Sequence, residues 1–310
     1  MGQVDRVLQA ATDQVLQAAG DAALRPEVAG FFDPATFTVT YVVHDPVTRE
    51  AAIIDSVLDF DPNSGRTATA SAERIMEYVA LHDLKVTWQL ETHAHADHFS
   101  AAPYLQQKLG GKIAIGAEIT TVQNVFGKLF NAGTEFERDG SQFDALFSDG
   151  DTFTIGNLPV TVMHVPGHTP ADIAYVVGEA VFTGDTMFMP DFGTARADFP
   201  GGDARQLFRS LRRILSLPPE TRLFMCHDYL PKGRTEYAWE TTVAAQRENN
   251  IHARDGIIED EFVAMREARD ATLDMPRLIL PSIQVNMRAG HLPPPDENGV
   301  TYLKIPVNAV

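Results

Sequence analysis

Three histidines and one aspartate stand within six residues of one another, in the segment His93-Ala-His95-Ala-Asp97-His98. Imidazole and carboxylate groups at this density form a ligand set that suits zinc, iron or manganese. The apolar run 86–90 precedes the cluster and predicts a buried strand, so the cluster begins at a strand's carboxyl end. We expect alternate residues of such a loop to point apart, with His93 and His95 serving one site and Asp97 and His98 facing another.

Three later segments each place one further candidate ligand after a short apolar run. His168 stands in Pro-Gly-His-Thr, Asp185 in Thr-Gly-Asp, and His227 in Cys-His-Asp-Tyr. Side chains at strand ends are held by rigid elements and remain open to a ligand. The sequence therefore predicts that four separate segments contribute to one open metal site.

The elements that must position these ligands follow from the periodicity of apolar residues. Helices are predicted over residues 1–20, 71–82, 100–109 and 203–216, and over most of 235–275. Strands are predicted over residues 37–43, 50–55, 86–90, 153–155, 159–164, 173–177, 180–183 and 222–225. The tail, residues 276–310, is rich in proline and is predicted to be irregular. This order of strands and helices indicates packed sheets flanked by helices.

The composition excludes several classes of protein. The 310 residues carry a net charge of −17, which argues against nucleic acid and anionic membranes as partners. Cys226 is the only cysteine, so a disulfide framework and a cysteine-rich metal site are excluded. No apolar run approaches the roughly 20 residues of a membrane span, and the N-terminal stretch lacks the apolar core of a signal peptide. We therefore expect a cytoplasmic protein with no membrane partner.

The ordered set of ligands resembles the signature of the metallo-β-lactamase superfamily. Asp55, which closes the second predicted strand, matches the structural aspartate of that family. The resemblance implies an α+β fold, the αββα sandwich, in which two packed mixed sheets are flanked by helices. It also implies one structural domain, with a catalytic core over 1–232 and C-terminal helices and a tail over 233–310. We expect this C-terminal part to pack on the core and to contribute to the substrate pocket.

Within that superfamily the chain resembles the persulfide dioxygenases, also called sulfur dioxygenases. The resemblance includes the strands 37–41 and 52–55, Arg196-Ala-Asp198-Phe after Asp185, and Asn286-Met-Arg288-Ala-Gly near the C-terminus. Glyoxalase II, the nearest relative of that branch, usually carries Arg-x-Phe-Glu-Gly after the aspartate instead. The tail after residue 290 departs from the branch.

The resemblance implies a mononuclear Fe(II) enzyme of sulfide detoxification. It would oxidise glutathione persulfide with O₂ and water to sulfite and glutathione, with one iron held by His93, His168 and Asp185. Two histidines and one carboxylate leave positions open for oxygen and a sulfur ligand. The sequence leaves a homodimer open. The remaining site residues would orient the ligands or brace the metal loops (His95, Asp97, His98, His227, Arg196, Asp198 and Tyr229), or bind substrate (Asn286 and Arg288).

A hydrolase of glyoxalase II type is the alternative, because residues for two metal ions are present. In that hypothesis two zinc ions and a bridging hydroxide would attack a glutathione thioester. Arg196 and Asp198 also have two interpretations: an ion pair that stabilises its own loop, or a brace on the metal loops that faces substrate. In the hydrolase one ion would be held by His93, His95 and His168, the other by Asp97, His98 and His227, and Asp185 would bridge.

Overall fold

The computed structural model describes residues 5–309, which contain two six-stranded sheets, one three-stranded sheet and eight α-helices. The strands are β1 (Glu27–Asp33), β2 (Thr38–His44), β3 (Glu50–Ile54), β4 (Val57–Asp61), β5 (Arg66–Ala68), β6 (Lys85–Leu90), β7 (Phe99–Ser100), β8 (Lys112–Gly116), β9 (Ala145–Phe147), β10 (Thr152–Ile155), β11 (Leu158–His164), β12 (Ile173–Val177), β13 (Ala180–Phe182), β14 (Arg222–Phe224) and β15 (Glu240–Thr242). The helices are α1 (Arg6–Gly20), α2 (Ala70–Leu81), α3 (Ala102–Leu109), α4 (Ile119–Leu129), α5 (Ala204–Ile214), α6 (Val243–Asn249), α7 (Glu259–Asp270) and α8 (Ile279–Asn286).

Two mixed sheets pack face to face, as the sequence predicts. The first has the strand order β1-β2-β3-β6-β8-β9 and is parallel from β3 to β9; the second runs from β10 to β15 in order and is parallel only between β13 and β14. A shared apolar core joins their inner faces, with Tyr41 and Leu90 from the first sheet and Tyr175 and Phe224 from the second. The two apolar inner faces bury each other from water, and this hydrophobic burial is the main stabilisation of such layers.

Helices cover the outer faces of both sheets. Apolar residues of α1, α5 and α7 join one core cluster with the second sheet, and those of α2 and α3 join another with the first sheet. Asp203, where the helix 203–216 is predicted to begin, caps α5: its carboxylate accepts hydrogen bonds from the backbone N–H groups of Arg205 and Gln206. The resulting architecture is the predicted αββα sandwich.

Several predicted boundaries are wrong. Helix α2 begins before Ser71, whose hydroxyl instead donates to Asp59. Helix α3 begins at Ala102, two residues after the predicted start, because Ser100 pairs with Val57 in the three-stranded sheet. The predicted helical region 235–275 contains β15 and two separate helices.

The tail that was expected to be irregular contains α8. Its buried residues pack against α4 and β7, so tertiary contact stabilises a helix whose proline content hides it from the sequence. Beyond residue 232, β15 adds the last strand to the second sheet, so the core sheet continues past the predicted boundary. Within residues 5–309, no helix combines the length and apolar character needed to cross a bilayer.

Candidate metal centre

The histidine-rich loop after β6 is held by Asp55, which follows β3. Strands β3 and β6 are parallel neighbours, so both segments emerge at the same edge of the sheet. The Asp55 carboxylate accepts hydrogen bonds from the Thr92 backbone N–H and hydroxyl, both at 2.8 Å. Asp55 has a left-handed backbone (φ 52°), a strained conformation for a residue with a side chain. The hydrogen bonds offset this strain and fix the start of the loop.

The turn that carries His168 depends on a glycine. Gly167 has a φ of 143°, and a Cβ atom there would lie 2.3 Å from the backbone nitrogen of Leu207 in α5. Its carbonyl accepts a hydrogen bond from the Asp203 N–H at 2.9 Å, which ties the turn to the start of α5. Glycine therefore lets α5 approach closely enough to set the position of His168.

The four segments meet around Asp185. One of its oxygens, Oδ2, lies 3.5 Å from His168 Nε2 and 3.8 Å from His93 Nε2. The other, Oδ1, lies 3.3 Å from His227 Nε2. Asp97 Oδ2 is in turn 3.5 Å from His227 Nε2. The structure thus brings the predicted ligands into one cluster, with Asp185 between its two halves.

Each of the five clustered histidines has one ring nitrogen anchored by the protein. Such bonds set which nitrogen faces outward and how the ring is oriented. The shortest joins His168 Nδ1 to the carbonyl of Arg196 at 2.8 Å. The others are His93 Nδ1 to Thr92 Oγ1 at 3.0 Å, His95 Nε2 to Asp55 Oδ1 at 3.0 Å, His227 Nδ1 to Phe37 O at 3.2 Å, and His98 Nδ1 to Asp97 Oδ2 at 3.3 Å.

The second ring nitrogen of four of these histidines and one oxygen of Asp185 are buried and lack hydrogen-bond partners among the described residues. A buried polar atom without a partner is costly, so a group of them in one place indicates a ligand-binding site. Nitrogen lone pairs and a carboxylate oxygen are donors that a divalent metal accepts, and the cluster therefore fits a metal centre. The unpartnered atoms are His93 Nε2, His95 Nδ1, His98 Nε2, His227 Nε2 and Asp185 Oδ1.

Two histidines of the cluster differ in their electrostatic environment. Burial lowers the pKa of His93 well below its ordinary value, which favours the neutral ring that binds a metal. Burial also disfavours the charged form of His95, but the carboxylates of Asp55 and Glu91 outweigh it and raise the pKa of His95 well above its ordinary value. His95 Nε2 lies 3.0 Å from Asp55 and 3.2 Å from Glu91, so this ring is tied to the structural aspartate.

Arg196 and Asp198 form the predicted ion pair and also reach the metal loops. Arg196 Nε and Nη2 donate to the two Asp198 oxygens at 2.6 and 2.8 Å. The Arg196 guanidinium lies over the ring of Phe199, which in turn contacts the edge of His168. Tyr229 stacks almost parallel to His227, with ring centroids 5.5 Å apart. Phe199 and Tyr229 therefore pack against candidate ligands, and the Arg196 side chain reaches His168 only through Phe199.

Asn286 and Arg288, predicted to bind substrate, lie elsewhere. The Asn286 amide donates to the carbonyls of His95 and His98 at 2.8 and 2.7 Å, so it holds the histidine loop from α8. The Arg288 guanidinium lies 4.1 Å above the ring of Phe136. Neither residue is among the described lining of the pocket beside the metal centre. Their side chains contact the histidine loop and Phe136, and the pocket is lined by other residues, so a substrate-binding role for either stays a prediction.

That pocket has a cavity volume of about 520 Å³ and opens onto His168, Asp185 and Asp97. Five aromatic side chains and four arginines line it. Arg269 and Arg277 are both exposed and belong to no recognisable sequence motif; Asp270 and Asp274 stand between them. The aromatic lining residues are Phe37, Phe188, Phe192, Phe199 and Tyr229, and the remaining arginines are Arg196 and Arg266.

Comparison with known proteins places this fold and ligand set in one family. The family model described as the metallo-beta-lactamase superfamily matches residues 34–227. The chain belongs to the metallo-β-lactamase superfamily. The matched region includes all the candidate ligands, from His93 to His227.

Relatives within the metallo-β-lactamase superfamily carry two kinds of name. A probable metallo-hydrolase of Burkholderia pseudomallei is 61% identical over 294 residues, covering 91% of this chain and 99% of that protein. Glyoxylase B2 of Dictyostelium discoideum is 49% identical over 269 residues, covering 86% and 92%. The human mitochondrial persulfide dioxygenase ETHE1 is 29% identical, covering 84% and 87%. The crystal structure of ETHE1 from Myxococcus xanthus superposes with a TM-score of 0.68 at 30% identity, covering 86% of this chain and all of that one.

Proposed function

We propose that this protein is a persulfide dioxygenase of sulfide detoxification, which converts glutathione persulfide, O₂ and water into sulfite and glutathione. The observation that carries the proposal is the group His93, His168 and Asp185, whose ligand atoms lie within 4.8 Å of one another. His168 and Asp185 also line the pocket with its five aromatic side chains. Two histidines and one carboxylate form the ligand face typical of non-haem Fe(II) oxygenases. The likeness to ETHE1 in sequence and structure supports this assignment.

The protein's own residues bind, orient and shield the reactants. One Fe(II) held by His93, His168 and Asp185 would supply the redox chemistry that O₂ and the persulfide sulfur require. The Arg196 carbonyl keeps the Nδ1 proton of His168 away from the centre. The rings of Phe188 and the other aromatic residues give the pocket an apolar surface that would displace water when a substrate binds. An apolar surround suits O₂ better than it suits water.

Arg269 and Arg277 are the residues that we expect to hold the substrate's carboxylates. Glutathione persulfide carries two of them, and a chain of net charge −17 has no general attraction for an anion. Both arginines line the pocket, and none of the ion pairs found in residues 5–309 involves either one. A guanidinium without a carboxylate partner can grip one with two hydrogen bonds.

The test of the proposed reaction is metal analysis of the purified protein together with oxygen uptake. We expect about one iron per chain, and O₂ consumption that matches the sulfite formed from glutathione persulfide. The His291→Ala variant, altered at an exposed histidine outside the centre, should behave as wild type. Two zinc ions per chain with thioesterase activity and no oxygen uptake would contradict the proposal.

The substrate contacts are tested by Arg269→Ala and Arg277→Ala. We expect each to raise the KM for glutathione persulfide by roughly two- to fivefold, with kcat almost unchanged, because a contact present throughout the reaction contributes uniform binding. The diethyl ester of glutathione persulfide lacks both carboxylates and should show little difference between variants and wild type. Arg209→Ala is the control, since it removes the same charge from α5 outside the pocket lining. An unchanged KM in both variants would place the carboxylates elsewhere.

A glyoxalase II type hydrolase is the second candidate. It is supported by the unpartnered atoms of His95, His98 and His227, which could hold a second ion. The names of the Burkholderia and Dictyostelium relatives favour it as well. In that case Asp185, which faces both halves of the cluster, would bridge two zinc ions, and the same pocket would take a glutathione thioester.

A further inference from the structure

The loop 193–199 sets the orientation of His168 but has no regular secondary structure of its own. Its Arg196 carbonyl receives the His168 Nδ1 hydrogen bond at 2.8 Å. A shift of this carbonyl would release the ring of His168 and move Nε2 relative to Asp185. Whatever holds the loop therefore also holds one side of the metal centre.

Two residues of α7 hold the loop from outside the region matched by the family model. Asp270 Oδ2 accepts the Ala197 backbone N–H at 2.9 Å, directly after Arg196. Arg266 Nη1 donates to the Thr194 carbonyl at 3.0 Å, two residues before Arg196. The two backbone bonds thus bracket the carbonyl that orients His168.

Arg266 and Asp270 are also paired with each other inside the protein. Arg266 Nε and Nη2 lie 2.8 and 2.6 Å from Asp270 Oδ1, and the two residues are only 1% and 4% exposed. A buried ion pair is a poor source of net stability, because removing both charges from water costs about as much as their attraction returns. Its better-attested use is to specify one arrangement of the groups around it, and here those groups are loop backbone atoms.

We propose that the Arg266–Asp270 pair positions His168 in the metal centre, acting through the backbone of residues 194–197. The pair does not touch a ligand itself; it fixes the Arg196 carbonyl, which fixes the tautomer and orientation of the imidazole. The proposal rests on His168 being a metal ligand, as in the proposed function, but it is independent of the reaction catalysed.

The decisive variant is the double substitution Arg266→Met/Asp270→Leu, which replaces the pair by apolar side chains of similar volume. Metal-free protein would be titrated with Co²⁺, with absorption recording the coordination geometry, and thermal unfolding would be measured on the same samples. We expect Co²⁺ affinity to fall by about 10- to 100-fold, with an altered spectrum and a cooperative unfolding transition. Loss of iron from the holoenzyme to a chelator should accelerate in parallel.

The control is Glu259→Gln, also on α7. Glu259 pairs with Arg205 and Arg209 of α5 at 2.6 and 3.0 Å, so it helps to dock the same helix without contacting the loop. We expect this variant to keep the wild-type Co²⁺ affinity and spectrum. A double variant that folds and binds Co²⁺ as tightly as Glu259→Gln, with the same spectrum, would overturn the proposal.

If the double variant fails to fold, Asp270→Asn decides the question. It keeps the volume and one acceptor oxygen, so one of the two Asp270 contacts must be lost, and Co²⁺ affinity should still fall. An unchanged affinity and spectrum in Asp270→Asn would overturn the proposal.

Two further results separate this proposal from the proposed function. Absence of oxygen uptake in a wild-type protein that holds its metal would overturn only the proposed reaction. Full Co²⁺ affinity in His168→Ala would overturn both the assignment of His168 as a ligand and the positioning role of the Arg266–Asp270 pair.

Discussion

His93→Ala, His168→Ala and Asp185→Ala are each expected to purify without iron and without oxygen uptake. A site with three protein ligands has no spare donor, so the loss of one removes a third of its ligands. His227→Ala should keep its iron and lose about 10- to 100-fold in turnover, the usual cost of removing a group that only orients ligands. Iron content by elemental analysis and oxygen uptake with glutathione persulfide measure the two effects separately.

The contrast between these variants separates the mononuclear centre from the dinuclear one. In a two-metal site Asp185 bridges and His227 is a ligand in its own right, so His227→Ala would lose metal as His93→Ala does. Equal metal loss in both variants would therefore argue for two ions. The exposed His291→Ala variant controls for the effect of removing any histidine. Unfolding curves of all variants show whether a lost metal reflects a lost fold.

Gly167→Ala is expected to destabilise the protein by about 3 kcal/mol or more. The methyl group would lie 2.3 Å from both the backbone nitrogen and the Cα of Leu207, and φ is 143°, a conformation that residues with a side chain avoid. Because Leu207 belongs to α5, relief of the clash requires the helix to move away from the second sheet. Chemical denaturation, with the midpoint and slope both fitted, measures the change.

Gly256→Ala is the matched control for this clash. Gly256 has a φ of 95°, and a Cβ atom there would meet nothing within 4 Å. It therefore carries backbone strain without a contact, and we expect a loss of only about 1 to 2 kcal/mol. Similar losses in both variants would show that strain, and not the close approach of α5, makes glycine necessary at residue 167. A further loss of iron in Gly167→Ala would follow from the displacement of His168.

The order and types of the ligands could be predicted from the sequence, because both are local properties of the chain. His93, Asp97 and His98 stand together in one loop, and strand ends mark where His168, Asp185 and His227 must emerge. Alternating apolar runs likewise predict most strands, since a buried strand needs only its own residues to be apolar. The resemblance of the ordered ligand motifs to a known family then implied the αββα fold.

Contacts between segments that are distant in the sequence could not be predicted from those patterns. Asn286 matched a motif and was predicted to bind substrate, but its side chain is occupied by the backbone of the histidine loop almost two hundred residues earlier. Arg269 and Arg277 matched no motif and yet line the pocket. Helix α8 forms where proline argued against it, because its buried face gains more from packing against α4 than local preference costs.

The sequence by itself therefore determined the chemistry that the chain can support: imidazole and carboxylate donors, placed at strand ends in a family order. Tertiary structure alone decided which nitrogen of each ring faces the centre and which arginines reach the pocket. It also decided that α7 holds the loop 193–199 and that α8 holds the histidine loop after β6. The reason is physical. Residue type and spacing are set along the chain, whereas the direction of a side chain and its partner depend on which distant surface packs against it.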